Sequence, residues 1–376
     1  MGFLESNQEE ALKRQFQSLR PQPSSSRPLF EASSSQHTKN QGLGASKTSC
    51  NEKACRRSFR NVKEEPGIRG LKQLGGLSNI KKELRTIALS ALKYSHLFRH
   101  SDSLGMPNNF GVFLHGPQGT GKTVLVSGFA KEYGFPMFDV SCGMLAHGLF
   151  GDSEAFVQML FQLASKGSSC VIFLDGCDAV LSPSRNNDGS HAKRDEKAMV
   201  GLNNQGTSVF VFGATNYLGL IKFDTGFGRR FETQVHVGLP GEAAMVQILE
   251  PSLKIIYHTV QVGEYLELAE AGLGLTGADI SVLMIKMVRK EISNLVAAKT
   301  FTKEKFNGKD ILVPCRQNVS ESIKKDSPGY NDSMVWCKPF SKRDILTTLR
   351  HAKRSVTRLE RETHEKWSDA NSTMSA

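Results

Sequence analysis

The chain has 376 residues, 39% of them hydrophobic, and a formal net charge of +11, enough for one sizeable core, a smaller second one and an unstructured tail. No apolar run approaches the roughly 18 residues of a membrane span, and the N-terminus lacks the charged-then-apolar layout of a leader, so a soluble intracellular protein is expected. Seven cysteines without a C-x-x-C pair point to neither a disulfide framework nor a zinc site, and the basic balance favours polyanionic surfaces such as acidic protein tails, anionic membranes or nucleic acid without choosing among them.

Taken in chain order, residues 1–66 read as a basic, disordered tail and linker. Glu9 to Leu19 form at most a marginal helix, and the Pro, Ser and Gly segments that follow have almost nothing to bury. Order is expected from near Leu71. Ser78 is placed as a helix N-cap, with Ile80, Leu84, Ile87, Ala88 and Ala91 at helical spacing behind it.

Val112, Phe113 and Leu114 form a short apolar run of the kind a buried strand shows. It leads into Gly116-Pro117-Gln118-Gly119-Thr120-Gly121-Lys122-Thr123, which fits G-x-x-x-x-G-K-T without a gap. Glycines in such a loop let successive N–H groups converge on phosphate oxygens at a helix N-terminus. Lys122 is expected to reach the β and γ phosphates of a nucleotide, and the Thr123 hydroxyl to ligate Mg2+. Gly128, inside the following helix, costs roughly 1 kcal/mol relative to Ala and predicts a less rigid helix.

Further strands are expected at 136–140, Val171 to Leu174 and Val209 to Phe212, alternating with helices that include Phe156 to Ser165. That order implies a parallel sheet with its ligand at the C-terminal ends of the strands, where Thr123, Asp175 and Asn216 all fall. Asp175, directly after an apolar strand, fits a carboxylate that holds Mg2+ through water, and the Asn216 amide fits a group that orients a water near the γ-phosphate. Near the C-terminus, Ser341 and Asp344 make a capping-box start. The stripe Ile345, Leu346, Leu349, Ala352, Val356 and Leu359 predicts one helix packed on a smaller subdomain.

GPQGTGKT, the strand VIFLD, GATN, the paired arginines of GRRFE and LTGADI, in this order, resemble an AAA ATPase module. The form of GRRFE is similar to the meiotic clade, which includes katanin, spastin, fidgetin and the vacuolar protein sorting ATPase. The insertion carrying ILVPC and SMVW is most similar to the small β domain of the last of these, which disassembles endosomal sorting (ESCRT) filaments. The resemblance implies an α/β P-loop fold with a parallel five-stranded sheet flanked by helices in residues 67–239. It also implies a helical lid over 240–376 with a short β insertion near 300–338 and a C-terminal helix. It implies ATP and Mg2+ as cofactors, nucleotide contacts from Gly277 and Ala278, and a ring oligomer in which Arg229 and Arg230 reach the neighbouring subunit's γ-phosphate, a contribution of roughly 10³ to 10⁵ in rate. A protein filament is the implied substrate, in the cytoplasm with peripheral placement at endosomal membranes or the cytoskeleton. No integral membrane segment is expected, and nucleic acid is not specifically indicated.

Two departures bear on activity. Where the family places a water-polarising glutamate after the Mg2+ aspartate, this chain has Gly176, a loss worth roughly 10² to 10⁴ in rate. Asp178 is a poor substitute because the family carries an acid there as well. Where the family places a Lys-aromatic pair in the central pore, this chain has Gly148 and Leu149, followed by Phe150. Three readings therefore stand: an ATP-driven filament remodeler, a microtubule-severing enzyme drawn to acidic tubulin tails, and a non-catalytic ATP-binding subunit of a related ring.

Overall fold

A computed structural model of the chain describes residues 55–62, 64–65, 67–93, 109–143, 153–165, 169–178, 209–218, 231, 233–306, 309–315, 322–325, 327, 330–371 and 374–375. A two-residue strand β1 (Phe59–Arg60) precedes helix α1 (Ser78–Lys93). Then come β2 (Asn109–His115), α2 (Lys122–Tyr133), β3 (Met137–Ser141), α3 (Ser153–Ser165), β4 (Cys170–Asp175), β5 (Val209–Thr215) and β6 (Thr233–His236). Helices α4 (Glu242–Leu253), α5 (Tyr265–Gly272) and α6 (Gly277–Ala297) follow. Strands β7 (Thr300–Phe306), β8 (Lys309–Pro314) and β9 (Ile323–Lys324) lead to α7 (Lys342–Arg350), α8 (Arg358–Asn371) and β10 (Met374–Ser375).

The main sheet has the order β1-β3-β4-β5-β2-β6-β10. Its middle five strands pair in parallel, as the alternation of strands and helices predicts. A parallel sheet covered on both faces needs strands that are apolar all round, and β5 is buried along its whole length. One face packs with α3 through Phe156, Leu160 and Phe161, the other with α1 and α2 through Leu84, Leu125 and Phe129.

Gly128 is explained by packing. A Cβ there would sit 2.8 Å from Leu74 Cδ1 and 3.1 Å from the Arg69 carbonyl, so the glycine lets the segment before α1 lie against α2. The interior glycine thus serves a close approach.

The sheet has two edge strands that the sequence reading lacks. The segment before residue 67, expected to be disordered throughout, is ordered where it is described. Cys55 and Val62 are buried, Phe59 meets Phe138 edge-on at 5.4 Å, and Arg60 bridges Glu65 and Asp139 at 2.8 and 2.9 Å. Three apolar residues separated by polar ones suffice to dock a short strand once a neighbouring edge supplies the surface.

Helices α4, α5, α6 and α7 bury a separate core around Met245, Leu249, Leu268, Met284 and Leu349. The insertion between α6 and α7 is a three-stranded antiparallel sheet of order β8-β7-β9. The expected single helix over Ser341–Leu359 is two helices. Its Ser341–Asp344 capping box holds, and Ile345, Leu346, Leu349 and Ala352 join the lid core. The chain leaves the helix at His351, and Leu359 is exposed. Thr357 and Glu360 then form a second reciprocal cap, the Thr357 N–H donating to Glu360 Oε2 at 2.8 Å and the Glu360 N–H to Thr357 Oγ1 at 3.2 Å. That cap restarts the chain as α8, which packs on β6, and β10 pairs with β6 in parallel. Helix α8 and strand β10 thus lie at the main sheet and not on the helices that carry the separate core.

Where α8 meets the sheet, three imidazoles stack. His115 lies 5.0 Å from His236 and 6.0 Å from His364, with ring planes within 9° and 11°, and Trp367 meets His115 edge-on at 4.4 Å. Burial, then neighbouring His236, His364 and Lys122, pushes the His115 pKa down to about 2. Burial chiefly takes His364 to about 4 against opposing contributions from the Asn216 carbonyl and Glu360, and lowers His236 although Glu365 and Asp369 oppose it.

These groups stay neutral in the folded chain and protonate near pH 6.5 when unfolded, so the unfolded state gains protons as the pH falls. Their contribution is fully present above pH 6.5 and is lost at about 1.4 kcal/mol per pH unit per histidine below it, until each folded-state pKa is reached. Urea-unfolding midpoints should therefore fall between pH 7 and pH 5, and His364→Gln should remove about one proton's worth of that slope.

Candidate functional site

The register of the main sheet assembles the site. Ser141 of β3 pairs with Asp175 of β4, Asp175 with Ala214 of β5, and His115 of β2 with both Thr215 and His236. The residue following each of β2, β4 and β5, namely Gly116, Gly176 and Asn216, therefore emerges along one edge, where the loops can hold a ligand.

The Gly116–Gly121 loop closes on itself through Thr120, whose hydroxyl donates to the Pro117 carbonyl at 2.9 Å, and Gln118 projects into solvent. Helix α2 starts at Lys122. No side chain among the described residues caps Gly121, and no acid stands in the first turn. Its N-terminal N–H groups and positive dipole end are left for an anion. Lys122 is buried, and its ammonium donates to the carbonyls of Gly116 at 2.8 Å and Pro117 at 2.9 Å. Burial pushes its pKa down to about 8 against the pull of Asp175. A buried cation that, among the described residues, is satisfied by loop carbonyls beside an uncapped helix start suits phosphate oxygens, which would replace two neutral acceptors by charged ones.

Asp175 is half-buried. Its pKa is raised by burial and by Asp139, and lowered by the Gly176 N–H and by Lys122. Thr123 is exposed at the first turn of α2. Gly176 follows in a left-handed conformation at φ +71° with no described residue crowding it, and the Cys177 N–H then donates to the Ala214 carbonyl at 2.9 Å. An L-residue at that φ is disfavoured by roughly 1–2 kcal/mol. The turn after β4 is thus shaped for glycine at this position. Asp178 accepts a 2.8 Å hydrogen bond from the Thr215 hydroxyl, which itself accepts from the Tyr217 N–H at 3.0 Å. This carboxylate is committed to holding the end of β5.

In the smaller subdomain, Thr276 and Asp279 cap α6 reciprocally, and the Ala278 N–H donates to the Gly119 carbonyl at 3.4 Å, which puts Gly277 and Ala278 beside the Gly116–Gly121 loop. Arg229 and Arg230, and the segment Gly148, Leu149 and Phe150, lie outside the described residues. The sequence reading missed the contribution of α8: His364 Nε2 lies 3.1 Å from the Asn216 carbonyl, behind the loop. The available signal was the T-x-x-E pattern at Thr357–Glu360, which marks a helix start the hydrophobic stripe had run across.

Residues 112–239 match the family described as "ATPase family associated with various cellular activities (AAA)". Vacuolar protein sorting-associated protein 4A of Rattus norvegicus and of Homo sapiens is 32% identical over 284 residues, 74% of this chain and 60% of each relative. The human "ATPase family gene 2 protein homolog A" is 30% identical over 279 residues, 70% of this chain and 31% of the relative. This chain thus spans about 60% of the length of the vacuolar sorting relatives. The structure of the FIGL-1 AAA domain in complex with ADP superimposes with a TM-score of 0.64 at 21% identity, covering 90% of this chain and 100% of that one. A katanin structure concerned with self-assembly gives 0.55 at 21% identity, over 85% and 96%. With its strand order, phosphate loop and matched residues, the chain is a divergent member of the AAA family, related to the vacuolar protein sorting 4 proteins.

Proposed function

We propose that the chain binds ATP with Mg2+ at this sheet edge and serves as a subunit of a ring-forming remodeler that disassembles protein filaments or complexes, with turnover held low by Gly176. The observation that carries this reading is the buried Lys122, satisfied among the described residues by loop carbonyls, beside an uncapped helix start and the Asp175 carboxylate. Backbone N–H groups of the loop from Gly116 through Pro117, Gln118, Gly119, Thr120 and Gly121 would cradle the phosphates, Pro117 contributing shape and no donor. Lys122 would exchange its two carbonyl acceptors for phosphate oxygens. Thr123 and Asp175 would hold Mg2+, which supplies charge neutralisation at the β and γ phosphates. Asn216 would orient the attacking water, and Gly277 and Ala278 would approach the nucleotide from the lid.

The residue ranges divide between a nucleotide-binding part, 67–239, and a lid from 240, with α8 returning to the first. A ring brings Arg229 and Arg230 of one copy to the phosphates of the next, which is why the reading requires an oligomer. The printed names of the relatives support vacuolar sorting as the setting and self-assembly as a property of katanin. The reading places the chain in the cytoplasm, peripheral at endosomal membranes. No single helix among the described residues is long and apolar enough to cross a membrane.

Gly176 at φ +71° favours a second reading, a subunit that binds ATP and lends its arginines to active partners without turning over itself. Measured side by side, the unmodified chain and Lys122→Ala should differ at least tenfold in affinity for ATP. Equal affinities would overturn the site.

Steady-state hydrolysis separates the two readings. Gly176→Glu should raise turnover by about 10² to 10⁴, and Gly176→Ala, which carries the same backbone strain without the carboxylate, should not. Robust hydrolysis by the unmodified chain, abolished in Lys122→Ala and no faster in Gly176→Glu, would mean that another group orients the water.

A further inference from the structure

Among the described residues, helix α8 meets the candidate nucleotide site through a polar contact and a stack. The polar contact is His364 Nε2 to the Asn216 carbonyl at 3.1 Å. A carbonyl only accepts, so the ring nitrogen must carry the proton and donate. The stack runs from His364 through His236 at 6.2 Å to His115 at 5.0 Å, with planes within 7° and 9°. His115 is the residue before the phosphate loop, and its carbonyl accepts from the Val237 N–H at 2.7 Å. The Asn216 carbonyl is thus held by α8, while Thr215, the residue before it, is held by Asp178 from the turn after β4.

We propose that His364 is a positioning residue for Asn216. By donating to its backbone carbonyl, His364 fixes the end of β5 so that the Asn216 amide is presented to the terminal phosphate of a bound nucleoside triphosphate. The contribution is directional, because a diphosphate lacks the group that the amide would meet. His364 therefore sets discrimination between ATP and ADP and leaves the grip of the phosphate loop on the other phosphates unchanged. The stack on His236 and His115, with ring planes within 7° and 11° of that of His364, constrains the plane of the donating ring. His364 is buried and neutral, which keeps Nε2 as donor and Nδ1 as the unprotonated nitrogen across ordinary pH.

This inference rests on the nucleotide-site reading, and its test separates the two. Dissociation constants for ATP and ADP would be measured with the full chain, in Mg2+, for the unmodified protein and for Lys122→Ala, Asn216→Ala, His364→Ala, His364→Gln and the double variant Asn216→Ala/His364→Ala. Melting temperatures would be recorded in parallel. Loss of a hydrogen bond of ordinary net worth corresponds to a change of about threefold to tenfold. His364→Ala should lower the ATP-over-ADP preference by that factor with the ADP constant unchanged. His364→Gln, whose amide can donate to the same carbonyl, should restore it even where its melting temperature remains lowered. The double variant should be no worse than Asn216→Ala alone. If Lys122→Ala binds both nucleotides as the unmodified chain does, the nucleotide-site reading fails. If both nucleotides bind through Lys122 and His364→Ala lowers only the melting temperature, leaving the ATP-over-ADP ratio intact, the positioning role fails and the site stands.

Discussion

The structure depends on the hydrogen-bonded pairing of β2 with β5 on one side and β6 on the other. A strand that sits between two parallel neighbours has no free edge, and its register fixes theirs. Because His115 is level with Thr215 and His236, the phosphate loop that leaves β2 begins at the same height as the Asn216 that leaves β5. A slip of one residue in that register would turn the Phe113 and Phe210 side chains to the opposite faces and separate Lys122 from Asp175. The chemistry at the edge and the two apolar cores on the faces are thus consequences of one alignment.

Much of this was legible before any coordinates. A phosphate loop with fixed spacing, an aspartate directly after an apolar strand and an asparagine after the next one are local patterns, and a parallel sheet brings them together by topology alone. The contribution of α7 to the smaller core was legible in the same way, from the stripe that begins at the Ser341 cap. What was not legible depends on tertiary contact. β1 and β10 are two residues each and have no periodicity to detect. The break between α7 and α8 was hidden because Val356 and Leu359 continue the stripe, although the Thr357 cap interrupts it. The histidine stack draws its three members from β2, β6 and α8, so no window of sequence contains it.

Gly128 and Gly176 show that the same residue type carries opposite meanings. At Gly128 the absent Cβ makes room for a neighbouring segment, and the helix around it is as regular as its surroundings require. At Gly176 no described residue crowds the position, and the backbone dihedral is what a side chain would resist. The turn after β4 is therefore shaped for glycine at this position, and it is tied to β5 through the Cys177 N–H.

The pairing of β10 with β6 has a further consequence for how the sheet is completed. The backbone groups on the outer side of β6 are a ready template for another strand until something covers them. The segment that covers them, residues 374–375, leaves the ribosome after every other described element, some 138 positions behind β6. During synthesis this flank of the nascent sheet stays bare while the lid and its β insertion are already emerging. The interval in which a chaperone or another nascent chain could pair there is thus set by the distance along the chain from β6 to β10.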